Sequence, residues 1–65
     1  MNNGKIAKRL VELRGERSQE TVAKACKISV SALSMYENGN RVPRDEIKKA
    51  LARYYNTTEQ ALFFD

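Results

Sequence analysis

The chain has 65 residues and a formal net charge of +4, from 12 Lys and Arg against 8 Asp and Glu, with one cysteine and no histidine. A chain of this size makes one domain, residues 1–65, near the lower limit for folding without staples, and leaves little room for a buried active site. The lone Cys26 excludes an intramolecular disulfide and a cysteine-based zinc cluster, and the lack of histidine removes the commonest general base and metal ligand.

An enzyme is therefore not expected, nor a cofactor or a bound metal. No apolar run approaches the roughly 18 residues of a membrane span, and the first residues lack the apolar segment of a signal peptide. A small soluble domain of the cytoplasm is expected, without a membrane partner. The pI near 9.5 points to an acidic partner, nucleic acid foremost. The plain alternative is that the excess charge only keeps a small domain soluble. Position favours the first reading, because Arg41, Arg44, Lys48 and Lys49 lie beyond one side of the central motif and Lys24 and Lys27 on the other.

In chain order, a first helix is predicted over about residues 3–14, with Ile6, Leu10 and Leu13 in register and Val11 beside them. Gly15 ends it in a left-handed conformation. Ser18 caps a second helix, with Glu20 in its first turn, that stops near Cys26. Ser29 caps a third that runs to about Asn38 and closes on the turn signal Asn38-Gly39-Asn40. Pro43 blocks helix at Val42. Asp45 and Glu46 open a fourth helix with the stripe Ile47, Ala50, Leu51, Tyr54 and Tyr55, in which the tyrosines fill core and rim. Asn56 terminates it, and Thr57 or Thr58 caps a last short helix ending in Leu62, Phe63 and Phe64. No segment alternates with the period of a strand, so the fold class is all-α, a compact domain of about five helices.

Residues 18–38 carry the central motif. Val22, Ala23 and Cys26 share a face of the second helix, Leu33 and Tyr36 a face of the third, and Lys27-Ile28-Ser29 is the only spacer. So short a turn joins two helices at a steep angle around one small core, a helix-turn-helix whose second helix is free to enter a DNA major groove. With Ala32, Leu33 and Tyr36 turned inward, the outward arc holds Val30, Ser31, Ser34, Met35 and Asn38. The serines can donate or accept at base edges, and Val30 and Met35 suit a thymine methyl group. The arc lacks arginine and glutamine for bidentate readout, so discrimination leans on apolar contact and DNA shape.

Phosphate anchoring is assigned to Gln19, at the positive end of the second helix, and to Asn38, Asn40, Arg41 and Arg44 beyond the third. Asn38 is equally suited to capping the third helix, and exposed serines are often only solvated. Glu37 would repel phosphate unless neutralised, and Arg14 is its best ion-pair partner.

The segments SQETVAKACKIS, SALSMYENGNRVP and IKKALARYYNTTEQALF resemble the Cro/phage-repressor-type helix-turn-helix transcriptional regulators, from about Ile6 to Phe63. The resemblance implies a lambda-repressor-like DNA-binding domain, encoded by a bacterium or phage. By position, Gln19 falls on the family's phosphate-contacting glutamine, and Ala23 on the small residue where the two motif helices touch. Val30, Ser31 and Met35, with Ser34 alongside, fall on base-reading positions. Asn38, Asn40 and Arg41 fall where the backbone is commonly contacted, and Glu37 on an acid that pairs with an arginine of the first helix.

Three positions depart from the family pattern. Lys27 stands where the turn's glycine is usual, the loop after Arg14 is about two residues shorter, and Arg17 replaces the apolar residue of a hydrophobic staple. The resemblance implies a sequence-specific regulator of double-stranded DNA, expected to repress and to act as a homodimer on an inverted-repeat operator. Its two reading helices would lie about 34 Å apart. Leu62, Phe63 and Phe64 are the candidate dimer interface, unless they fold back over the first and fourth helices. The rival reading is a protein-interaction module, an antitoxin or anti-repressor partner on the same fold. A built-in ligand sensor is not expected.

Overall fold

Backbone capping sets the element boundaries in the computed structural model, which describes residues 3–64. The elements are α1 (Asn3–Arg14), α2 (Gln19–Cys26), α3 (Val30–Glu37), α4 (Asp45–Tyr54) and a closing π-helix (Gln60–Phe64), with no strand among the described residues. Ser18 Oγ accepts from Thr21 N at 3.1 Å and Ser29 Oγ from Ala32 N at 3.0 Å, so both motif helices start on side-chain caps, each worth about 1 kcal/mol. Thr58 Oγ1 accepts from Ala61 N in the same way and opens the last turn.

The C-terminal ends follow one logic. Past α3, Gly39 N donates to Tyr36 O and Asn40 N to Met35 O, the paired bonds of a Schellman motif. Gly39 sits at φ +76, where a side chain is strained, and an added Cβ would lie 3.4 Å from Asn3 O of α1. Past α2 the same two bonds run from Lys27 N to Lys24 O and from Ile28 N to Ala23 O. Lys27 takes the left-handed position (φ 58), at a cost of about 1 kcal/mol that glycine would not incur. Asn56 does likewise past α4, with φ 55.

α1 packs on α3 and on the closing helix, while α2 packs on α3 and α4. Ile6 and Leu10 of α1, Val22, Ala23 and Cys26 of α2, and Leu33 and Tyr36 of α3 form the core with Leu51, Ala52 and Tyr55, closed by Leu62 and Phe63. Cys26 is buried, and burial pushes its thiol pKa up, away from the reactive thiolate.

Three expectations from the sequence are revised, and Leu62 and Phe63 follow the fold-back alternative. Leu13 stays 37% exposed, because α1 turns Ala7 inward beside Ile6 and Leu10 and leaves Leu13 and Val11 at the surface. Lys48, expected on a solvated or phosphate-facing surface, is only 6% exposed. Its ammonium lies 4.6 Å from the centre of the Phe64 ring and 5.7 Å from that of Phe63, a cation–π pairing that keeps a buried stem and charge compatible. Of the candidate dimer interface, Leu62 and Phe63 lie in the core of the single chain at 2% and 3% exposure, because the closing helix folds back against α1. Only Phe64, at 52%, is left outside. Finally, the missing staple has a substitute: the Arg17 guanidinium lies 5.3 Å and 5.8 Å from the ring centres of Tyr54 and Tyr55.

Tyr55 supplies a pH-dependent test of this packing. Its hydroxyl has no hydrogen-bond partner among the described residues. Burial, reinforced by the charge of Glu37, raises its pKa from 10.0 to about 12. The unfolded chain therefore ionises first. The Tyr55 contribution is fully present below pH 10 and is lost as pH rises toward 12, by about 2–3 kcal/mol in all. Urea unfolding across that range should show Tyr55→Phe losing less stability than the wild type. At neutral pH the variant should be close to neutral, since no bonded partner is left behind.

Candidate nucleic-acid interface

Because Leu33, Tyr36 and Glu37 face the core, α3 turns its other side out. Val30 and Met35 are 40% and 42% exposed, Ser31 is exposed and Ser34 half-buried. Apart from Ser34, whose Oγ accepts from Asn38 Nδ2 at 3.4 Å, this face is unoccupied by other described side-chain hydrogen bonds. Asn38 also ends the helix, its N–H donating to Ser34 O at 2.9 Å. The face is short-chained and uncharged, so the helix backbone can come close to base edges without a charge to desolvate.

Cations flank that face. Arg41 and Arg44 are exposed on the connection from α3 to α4 and make no ion pair or hydrogen bond to the described side chains. Asn40 is exposed just before them, while Lys24 and Lys27 are exposed at the far end of α2. The acids opening α4, Asp45 and Glu46, answer its dipole and are exposed as well.

A buried network holds α3 at its other end. Glu37 is 7% exposed. Its Oε2 accepts from Arg14 Nε at 2.8 Å and its Oε1 from Gln19 Nε2 at 2.9 Å. The bond to Glu37 raises the Arg14 guanidinium pKa above its ordinary value, so Arg14 stays a cation beside the carboxylate. Arg14 Nη1 also donates to Arg17 O at 2.7 Å, which closes the four-residue loop between α1 and α2. The carboxylate is thus countered by Arg14 within the domain and joins the end of α1, the start of α2 and the end of α3.

The bond from Gln19 to Glu37 is the feature that reading residue by residue misses. Gln19 draws attention as the first residue of α2, and Glu37 as an acid in need of a cation, but neither suggests the other. A capped eight-residue α2 runs through a tight left-handed turn into an eight-residue α3, with a small residue, Ala23, buried on α2, and the helix-turn-helix family model matches residues 6–62 of the chain. The chain belongs to the Cro/phage-repressor-type helix-turn-helix family. No curated protein and no solved structure gives a significant match. This helix-turn-helix family is one of DNA-binding regulatory domains and not of enzymes, and the present member is accordingly a DNA-binding regulator. Among its described residues no group of three or more His, Cys, Asp or Glu could hold a metal ion, and no helix is long and apolar enough to cross a membrane.

Proposed function

We propose that this helix-turn-helix domain recognises a specific double-stranded DNA operator with α3 in the major groove, and that it represses transcription by occupying that site. The observation that carries the reading is the exposed, uncharged face of Val30, Ser31 and Met35 flanked by the exposed cations Arg41 and Arg44. Val30, Ser31, Ser34 and Met35 would contact bases, and Gln19, Asn38, Asn40, Arg41 and Arg44 the sugar-phosphate backbone. Base contacts specify and backbone contacts position, so these two sets have different signatures.

A homodimer on an inverted repeat completes the proposal, since eight residues of helix cover few base pairs. Its supporting feature is Phe64, which is half exposed at the end of the closing helix. Selection of bound sites from random duplex DNA tests the whole reading. Enriched inverted repeats with half-sites about one helical turn apart are expected; a pool that shows no enriched sequence would reject sequence-specific recognition.

Salt separates this reading from a protein-interaction module. Binding to DNA should weaken steeply with salt, because each neutralised phosphate contributes about 0.9 to the slope of log K against log salt. An apolar protein interface would respond little. Arg41→Ala should weaken binding to every duplex alike and lower that slope by about one. Fluorescence anisotropy on the selected site and on a scrambled duplex makes the check, and a loss confined to one sequence would contradict a backbone role for Arg41.

A further inference from the structure

We propose that Glu37 is a positioning residue for DNA binding: it fixes the orientation of the Gln19 side-chain amide and couples this phosphate anchor to the end of the reading helix. The inference rests on the DNA-binding reading above. It starts from the chemistry of the two groups. An ionised carboxylate can only accept hydrogen bonds, so the amide must turn its nitrogen toward Glu37 Oε1, at 2.9 Å. One amide hydrogen is thereby held inside the domain. The second N–H remains available at the start of α2, beside the backbone N–H groups of Gln19 and Glu20, which have no partner within the helix.

A phosphate also only accepts, so the same rotamer that satisfies Glu37 presents donors to DNA. Glu37 is itself buried, being 7% exposed, and is bonded at Oε2 by Arg14 at 2.8 Å. It is also the last residue of α3. The anchor is therefore registered to the helix whose other face carries Val30, Ser31 and Met35. Ordering a glutamine side chain before binding is worth about two- to tenfold in affinity, because that freedom need not be lost on the DNA.

The test is a double-mutant cycle in DNA binding, read by fluorescence anisotropy on the selected site and on a scrambled duplex. Gln19→Ala and Glu37→Gln should each weaken binding to both duplexes by about two- to tenfold, and the double variant should bind no more weakly than Gln19→Ala alone. Glu37→Asp provides a parallel arm that keeps the counter-charge for Arg14 while withdrawing the carboxylate from Gln19; its loss should likewise vanish in the Gln19→Ala background. Circular dichroism selects the folded variants, so the cycle can be completed with Asp if Gln does not fold. Multiplicative losses in the double variant would show that Glu37 acts on the fold alone and would overturn the proposal. Unchanged or tighter binding by Gln19→Ala would overturn it too, since the carboxylate would then be idle or would withhold the amide from DNA. If the wild type binds neither duplex, the DNA-binding reading itself fails, an outcome distinct from additivity.

Discussion

Arg14→Ala is expected to destabilise the domain by about 3–5 kcal/mol, more than Glu37→Ala, although both delete the same ion pair. The asymmetry comes from what each leaves behind. The Glu37 side chain is 3% exposed and that of Arg14 is 20% exposed. Without Arg14, a carboxylate stays buried with only the Gln19 amide to bond it. Without Glu37, the guanidinium reaches water and keeps its bond to Arg17 O. A domain of this size has only about 3–10 kcal/mol of stability in total, so the Arg14 variant should lose from about a third to all of it. Thermal unfolding followed by circular dichroism measures it, with about 4–8 °C expected per kcal/mol. A variant melting within a few degrees of the wild type would show that the network is not what joins α1 to α3.

Ser31→Ala and Met35→Ala should change which sequences are bound while leaving the fold intact. Both side chains are on the exposed face of α3 and contribute nothing to the core. Each base pair whose contact is lost should cost about 1–3 kcal/mol of discrimination, roughly 5- to 150-fold. Anisotropy on the selected site and on its single-base variants gives the preference, and the melting temperature controls for folding. The predicted pattern differs from that of Arg41→Ala, which weakens all duplexes together. Preference that survives both substitutions would remove α3 as the reader.

What could be read from the residues alone follows from the range of the forces involved. The caps Ser18 and Ser29 act on amides three residues away, and the left-handed terminators Gly15, Gly39 and Asn56 act on the preceding turn. Periodicity is equally local, and it places Leu33 and Tyr36 inside and Val30, Ser31 and Met35 outside. Lys27 is instructive because its left-handed geometry is expected only from the resemblance, which puts it where the family's turn has glycine, against the preference of the residue itself.

Groups whose partners are distant in sequence were not legible in the same way. Arg17 meets Tyr54 and Tyr55, and Lys48 meets Phe63 and Phe64, across separate helices. In each case a cation settles on an aromatic face, Arg17 at the exposed surface and Lys48 buried where hydropathy alone would have sent it to water. Leu13 and Leu62 are equally apolar, yet one is at the surface and the other in the core, because the rotation of α1 and the return of the closing helix choose between them.

By itself, then, the sequence determined the all-helical class, the helix-turn-helix and its outward face, since turn chemistry and helical period act over a few residues. The tertiary structure decided which of the apolar and charged residues are used inside: it buried Leu62 and Phe63 in the core, and it joined Gln19 to Glu37. That bond spans 18 positions and exists only because α2 and α3 fold against each other, bringing an acceptor-only carboxylate within reach of a single amide.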